Sequence, residues 1–479
     1  EESVFMKNEK ITSREVDFGK WYTDVVKAAH LASYSSVKGC IIFEPNGYAL
    51  WEKMQEVLDG MFKKTGHSNV YMPLLIPESL MQKEGELIDG FAPEVAWVTQ
   101  GGEKKLEERL CIRPTSETLF SDYYHTVVKS YRDLPLKYNQ WCSVLRWEKE
   151  TRPFLRSREF LWQEGHTVHE TQEEAEAETK QMLKVYETFF KDYLAIPVIT
   201  GKKTEKEKFA GAEYSLTVEA LMYNGIALQS GTSHYFGDKF ARAYDIKFKD
   251  RNNQDAYCYQ TSWGSTTRMI GALIMVHSDD NGLVLPPKIA PFPVRLIPIG
   301  ESEAVSEVVA CYRHLLEEAG IAVEVDDSTK SPGFKFAEAE VRGIPLRIEI
   351  GERDLKENKI TMVRRDTREK IFYDLSCDIV KEVKAVLDTI QKDMYERALA
   401  RREKLTFEAH NLEEVKAIME HQPGFIHAMW CGDPDCEAKM KEIKGTKSRC
   451  ILENEKAIDD HCVVCGKEAK YHVVWGIQY

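Results

Sequence analysis

No uninterrupted apolar run in this sequence approaches the ~18 to 20 residues that a membrane-crossing helix needs. The opening residues, EESVFMKNEK, also lack the basic and then apolar order of a secretory signal, so a cytoplasmic protein is the expectation. Internal repeats and low-complexity segments are missing, which excludes a repeat or tail-dominated architecture. Positive charge is in short supply: 65 Lys and Arg face 78 Asp and Glu, a net charge of -13. That balance excludes a protein that binds nucleic acid over its whole surface, and any such contact must be local.

What is there is an ordinary globular composition, 43% apolar and 30% charged, in 479 residues. That length suits roughly three domains of ~150 residues with ample core. The eleven cysteines are unevenly spread. Cys40, Cys111, Cys142, Cys258, Cys311 and Cys377 stand singly in apolar or mixed surroundings, as reduced thiols do. Five fall in the last 49 residues, with Cys431 and Cys436 as C-x4-C, Cys462 and Cys465 as C-x2-C, and 25 residues between the pairs. Two such knuckles can close a tetrahedral, structural thiolate site around zinc. Cys450 is left over, a bystander or a competing ligand. Disulfides are the alternative, disfavoured in a cytosolic chain.

The richest stretch runs from Arg146 to His169, RWEKETRPFLRSREFLWQEGHTVH, and reads as two strands around a loop crowded with positive charge. Alternation puts Phe160, Trp162, Glu164, His166 and Val168 on one strand face, aromatic and ionisable rather than ordinary core. Arg146 and Glu148 are expected on one face at the end of an apolar strand from Trp141. Between the strands Arg152, Arg156 and Arg158, with Pro153, are placed to turn guanidinium forks toward a polyanion. A solvated surface hairpin is the plainer alternative.

Elsewhere, Tyr48 to Thr65 carries Leu50, Met54, Val57, Leu58, Met61 and Phe62 at helical spacing, stopped by Gly66. A strand is predicted over Asn69 to Pro77, where Pro73 suggests an edge or an interface; helix and strand together form a plausible dimer element or an unpartnered core. In RPTSET, residues 113–118, the Thr115, Ser116 and Glu117 group can cap a helix, or hold a carboxylate beside a hydroxyl for a substrate ammonium. Residues 170–194 predict an amphipathic scaffold helix. Gly225 to Phe236 predicts a strand entering a Gly-Thr-Ser-His turn. Residues 261–264 lead to a helix from about Thr266 with Arg268 in its first turn and an apolar remainder, so that Arg268 needs an anionic partner, either a carboxylate or a phosphate.

Beyond the Pro-rich join Leu283 to Pro291, strands over 294–299, 322–326, 346–350 and 359–364 alternate with helices over 302–319, 333–342 and about 376–404. The alternation predicts a small α/β domain with a mostly parallel sheet. Nine Lys/Arg stand against six acids from Arg342 to Lys370, which suits an RNA surface or a solvated charged face.

Taken in order, Arg146-Trp-Glu148 with the 152–158 loop, helix 48–65 with Pro73, and Thr267-Arg268 resemble motifs 2, 1 and 3 of the class II aminoacyl-tRNA synthetases. RPTSE, RPFLRSREFLWQEGHT, LQSGTSHYFG, SWGSTTR and GLVLPP, with the cysteine module and Tyr479, resemble more closely the prolyl-tRNA synthetase family of archaeal and eukaryotic type, over essentially the whole chain. The resemblance implies an α+β fold. Residues 1–290 would form a class II catalytic domain built on an antiparallel sheet, 291–404 an α/β anticodon-binding domain with a mixed sheet, and 405–479 a small C-terminal α/β zinc domain.

It implies ATP, L-proline and tRNA(Pro) as substrates, Mg2+ with the nucleotide, Zn2+ on the four cysteines, and a homodimer. Arg146 and Arg268 would be the catalytic cations. Arg146 would grip the α-phosphate and prolyl carboxylate, Arg156 the pyrophosphate end and Arg268 the γ-phosphate, with Glu148, Gln229 and Thr266 near the nucleotide. Thr115 and Glu117 would take the proline imino group, and Phe160, Trp162, Glu164, His166, Thr232 and His234 would wall the pocket. Apolar contacts discriminate by only ~1 to 3 kcal/mol per methylene, so alanine and cysteine are its expected errors. Glu349, Arg353, Asp354 and Arg364 are candidate anticodon readers. The bacterial form of the family carries an editing insertion between motifs 2 and 3; here only 109 residues separate Arg158 from Arg268, so editing in cis is not expected. Another class II specificity and a silent tRNA-binding relative are the alternatives. The placement of the knuckles disfavours the threonyl enzyme, and Glu117, Arg146 and Arg268 together disfavour silence.

Overall fold

The computed structural model describes residues 11–479, so the expectation drawn from EESVFMKNEK lies outside the described residues. Strands Leu136–Leu145 and Glu159–His169 form the predicted pair, antiparallel from Leu145 opposite Glu159 to Leu136 opposite Val168. The first strand stops at Leu145, so Arg146 to Glu148 belong to the connection and not to the strand end as expected. The sheet continues through Tyr259–Thr266, Ala227–Gly237, Tyr214–Leu221 and Val198–Lys202, every pair antiparallel. Gly231 to His234 are not the expected turn. They lie extended between two strands that satisfy their backbone groups, and the irregularity sits at Ser230, where Val218 faces Gly231 but Glu219 faces Gln229.

Helix Gln172–Asp192 packs on this sheet through Ala175, Thr179, Met182, Val185, Tyr186 and Phe189, the three-and-four spacing of a buried stripe. Thr171 caps it, its hydroxyl accepting from the Glu174 N–H at 3.2 Å, a bond worth about 1 kcal/mol. Helix Arg268–His277 is buried from Met269 through Val276. No described helix is long and apolar enough to cross a membrane.

Helix Pro45–Lys64 begins slightly before its predicted start. The strand expected over Asn69 to Pro77 is two pieces. Ser68–Asn69 adds parallel to the edge of the main sheet, whereas Leu75–Pro77 joins a separate sheet with Lys104–Ile112 and Trp97–Gly101. Pro73 falls in the gap, and without an N–H it cannot carry a ladder across.

Near the C-terminus, Thr406–Glu408, Phe425–Trp430, Tyr471–Ile477 and Thr446–Ile451 extend the main sheet to eleven strands. The junction is a single registered pair, Ile451 opposite Lys202. Gly201 makes it possible: a Cβ there would lie 2.6 Å from the Ile451 carbonyl oxygen and 2.7 Å from Cys450 Cβ. Between these regions is a five-stranded sheet in the order Val323–Val325, Val294–Ile299, Leu346–Gly351, Lys359–Arg364, Lys370–Asp374. Its first three strands are parallel and its last two antiparallel, so it is mixed rather than mostly parallel. Strand Lys370–Asp374 was not foreseen, because its charged residues mask the alternation of Ile371 and Tyr373.

Candidate active site

The RPTSET segment does start a helix, Glu117–Val127, but Ser116 does not cap it. The Ser116 N–H and hydroxyl both donate instead to the Glu164 carboxylate, at 3.0 and 2.8 Å. A residue type suited to capping is thus used to anchor a carboxylate of the neighbouring strand. Thr115 donates its hydroxyl to Glu117, and the Ser262 hydroxyl lies 3.4 Å from the same side chain.

These residues open onto a cleft of about 280 Å³. Thr115, Glu117, Arg146, Glu148, Arg156, Phe160, Trp162, Glu164, His166, Gln229, Thr232, His234, Thr266 and Arg268 all line it. They come from the helix start, the hairpin, strand Ala227–Gly237 and the junction of Tyr259–Thr266 with Arg268–His277. Alternation explains the strand contributions, since Phe160, Trp162, Glu164 and His166 share a face.

Three guanidinium groups meet here. Arg146 donates through Nε to the Pro114 carbonyl at 3.0 Å, and its guanidinium carbon lies 5.0, 5.4 and 5.3 Å from the rings of Phe91, Phe160 and Trp162. Such an aromatic cage holds a cation without neutralising it. Arg268 donates to the carbonyls of Leu155 and Gln229, at 3.1 and 3.2 Å, and its own N–H to the Thr266 hydroxyl at 3.0 Å. Burial, then the charges of Arg156 and Arg146, bring its proton affinity down to about 10. It therefore stays cationic with no carboxylate in hydrogen-bonding contact among the described residues. Arg156 lies 4.0 Å from Glu148. Of the predicted fan of loop arginines only Arg156 reaches the cleft. Arg152 donates to the Tyr479 hydroxyl, and Arg158 lies over Trp147 while donating to the Glu148 carbonyl.

The carboxylates are set apart by their surroundings. Burial raises Glu117 above the usual range. Burial would raise Glu164 too, but hydrogen bonds from His166, at 2.6 Å, and from Ser116 and Gln140 outweigh it and hold that carboxyl low. His166 stacks on Phe120, ring centroids 4.3 Å apart. His234 is pushed down to about 3 by burial and then by His166 and Arg146, and shares a hydrogen bond of 2.6 Å with the Ser215 hydroxyl. The cleft thus offers fixed cations, one anchored carboxylate, one carboxyl of raised proton affinity and a neutral imidazole.

The four candidate anticodon residues are not alike. Arg353 is exposed and Asp354 half-buried on helix Glu352–Lys356. Glu349 is buried, which raises its carboxyl pKa, with Arg347 at 4.0 Å. Arg364 is engaged within the domain: its Nη2 contacts Asp366 at 2.7 Å and Asp393 at 2.9 Å, tying strand to helix Ile379–Lys404. Three further cations of the nine from Arg342 to Lys370 are likewise paired within the protein. Arg342 pairs with Glu324, Arg347 with Glu340, and Arg365 makes a bidentate pair with Asp279.

The sulfur atoms of Cys431, Cys436, Cys462 and Cys465 all lie within 4.8 Å of one another. Cys431 is 3.7 Å from Cys436 and 3.8 Å from Cys465, against the ~3.8 Å edge of a tetrahedron with 2.3 Å zinc–sulfur bonds. The donor set fits zinc. Cys450 is elsewhere, buried with Leu221, Phe425 and Val474.

Sequence reasoning missed several residues. Phe91, over Arg146, sits in a segment without periodicity, and Glu94, raised by burial and by Glu148, lies beside it. Lys203 and Phe209 line the cleft from a connection whose only signal was its mixture of charged and aromatic residues, and Ser215 does so from the start of strand Tyr214–Leu221.

Comparison with known proteins agrees with this geometry. Residues 97–277 match the class II tRNA synthetase core domain of the G, H, P, S and T group, 293–386 an anticodon-binding domain, and 412–479 the C-terminal domain of prolyl-tRNA synthetase. A proline–tRNA ligase of Lachnospira eligens is 58% identical over 472 residues, covering 98% of each chain. Those of Lachnoclostridium phytofermentans and Clostridium novyi are 57% and 56% identical with the same coverage. With this identity over nearly its whole length, and with the core and C-terminal domains both matched, the chain belongs to the prolyl-tRNA synthetase family.

Proposed function

We infer that this chain, a proline–tRNA ligase, joins L-proline to ATP in the cleft and then passes proline to the acceptor end of tRNA(Pro). One observation carries the reading: a caged Arg146 stands in the same cleft as Glu117, whose raised proton affinity marks a buried carboxyl that a substrate ammonium would relieve.

Proline enters with its imino nitrogen toward Thr115 and Glu117 and its carboxylate toward Arg146. A carboxylate oxygen attacks the α-phosphorus, pyrophosphate leaves, and the charge that spreads over the phosphoryl oxygens is met by Arg146, Arg156 and Arg268. A terminal tRNA hydroxyl then attacks the adenylate carbonyl and AMP departs. Phe160, Trp162, Glu164, His166, Thr232 and His234 enclose the ring, and Gln229, Thr266 and Glu148 flank the nucleotide. Class II synthetases use ATP with Mg2+, which screens the phosphates.

Zinc is the ion we assign to Cys431, Cys436, Cys462 and Cys465, closed to substrate and structural. The chain is further proposed to be cytoplasmic and to work as a homodimer through the segment that exposes Tyr71, Leu74 and Leu75. The 109-residue spacing between Arg158 and Arg268, occupied by the strands and helix of the core, supports a form without editing in cis and the archaeal and eukaryotic type. Arg353, Asp354 and Glu349 stay as anticodon candidates; Arg364 is more economically a strut.

The test is charging of tRNA(Pro) with labelled proline. Proline should be esterified to tRNA(Pro) at least a hundredfold faster than alanine. Charging with another class II amino acid in preference to proline would overturn the assignment.

A further inference from the structure

Strand Thr446–Ile451 carries Arg449 out of the C-terminal module and into the catalytic sheet. There Arg449 Nη2 lies 3.2 Å from both oxygens of Glu219, a residue of strand Tyr214–Leu221 with no exposed surface. Lys203 Nζ donates to the same carboxylate at 2.6 Å, and the Thr217 hydroxyl approaches at 3.3 Å. Two buried basic groups therefore share one buried anion; burial and then the Arg449 charge lower the pKa of Lys203 while Glu219 opposes them, so the cluster has room for a second anion. Arg449 Nε is also without a hydrogen-bond partner among the described residues.

The cluster points toward the cleft. Lys203 lines it, and Glu219 stands opposite Gln229 across the sheet, whose carbonyl accepts from Arg268. Glu219 also acts through space on the Arg268 guanidinium, strengthening its hold on its proton. Lys203 and Arg449 thus hold one carboxylate that Arg268 reaches only indirectly, through the Gln229 carbonyl of the facing strand. Buried basic groups of this kind are costly to charge unless an anion completes them, and a cleft that takes ATP supplies one in the triphosphate.

We propose that Arg449 is a positioning residue for nucleotide binding: by fixing Glu219 against Lys203 and the Gln229–Arg268 corner, the C-terminal module sets the affinity of the cleft for ATP. The proposal rests on the reading that ATP and proline share this cleft. A purely structural role for Arg449, holding the module to the sheet, would weaken both substrates alike or neither.

The experiment is proline-dependent ATP–pyrophosphate exchange with the full chain, comparing wild type, Arg449→Met, Arg449→Lys and Lys203→Met, with KM measured separately for ATP and for proline. The expected result is a five- to tenfold rise in KM for ATP in Arg449→Met and Lys203→Met, KM for proline within twofold, and partial recovery in Arg449→Lys. Should Arg449→Met fail to fold, Arg449→Lys decides, because it keeps the charge but loses the two-oxygen hold on Glu219: a raised KM for ATP alone supports the proposal and an unchanged one overturns it. An unchanged KM for ATP in folded variants, or equal rises in both KM values, would overturn the proposal. Absence of exchange in the wild type would instead overturn the reading of the cleft, and this proposal with it.

Discussion

Gly165 lies directly beneath the indole of Trp263: a methyl group on its Cα would stand 2.1 Å from the ring. The two residues are registered opposite each other in the sheet, and Gly165 separates Glu164 from His166. Packing in the core thereby fixes the height of the strand face that lines the cleft. Gly165→Ala forces the strand or the indole to move, which costs about 1 to 3 kcal/mol by the usual measure of overpacking. The expected outcome is that loss of stability in urea together with a rise in KM for proline. A stable variant with unchanged KM would show that the sheet absorbs the methyl without disturbing Glu164 and His166.

Two histidines are buried neutral, His234 pushed down to about 3 and His277 to about 4, mainly by burial. Each is protonated more readily in the unfolded chain, where histidine titrates near ~6.5. Their contribution is complete above that pH and is lost as pH falls through about 3 and about 4 respectively. Between these limits each group adds a slope of roughly 1.4 kcal/mol per pH unit. His277, which contacts the Leu194 carbonyl away from the cleft, gives the cleaner test. Urea midpoints of His277→Gln should depend less steeply on pH between 6 and 4 than those of the wild type, by about one proton. Parallel profiles would contradict this.

Metal removal should act on the C-terminal module first. Structural zinc contributes about 10 kcal/mol to the folding of small zinc peptides, so stripping the Cys431, Cys436, Cys462 and Cys465 site, or making Cys431→Ser, should lower the melting temperature. Exchange at saturating ATP should survive, with KM for ATP raised because Arg449 is less well held. Elemental analysis of untreated protein should give one zinc per chain. Complete loss of exchange at saturating ATP in a folded Cys431→Ser protein would show that the site does more than hold structure.

Tyr71 and Leu74 are 69% and 41% exposed, large apolar groups that a partner surface would cover. Leu74→Asp should shift the protein from dimer to monomer in sedimentation equilibrium at micromolar concentration. A wild type that is already monomeric would refute the dimer.

The chemistry was legible in the sequence wherever it followed a period. Alternation alone put Phe160, Trp162, Glu164 and His166 on one face, and knuckle spacing alone brought four cysteines together. Legibility failed where tertiary context overrides local preference. The Gly-Thr-Ser-His stretch is a strand because neighbours on both sides pair with it, and Ser116 leaves its cap for Glu164. Arg364 is an anticodon candidate by sequence, and its partners Asp366 and Asp393 could not be read there, the second lying 29 residues away. The Lys203, Glu219 and Arg449 cluster was invisible for the same reason, since its members lie on two strands and just past the end of a third, and one of them is 230 residues from its partner.

Activation of proline with ATP by Arg146 and its neighbours can be measured as amino-acid-dependent ATP–pyrophosphate exchange without tRNA, across all twenty amino acids, with Arg146→Ala as the control. Proline should support exchange, alanine and cysteine should do so weakly, and Arg146→Ala should lose at least a thousandfold. No exchange with any amino acid in folded, metal-replete protein, or full activity in Arg146→Ala, would contradict this role for Arg146 and its neighbours.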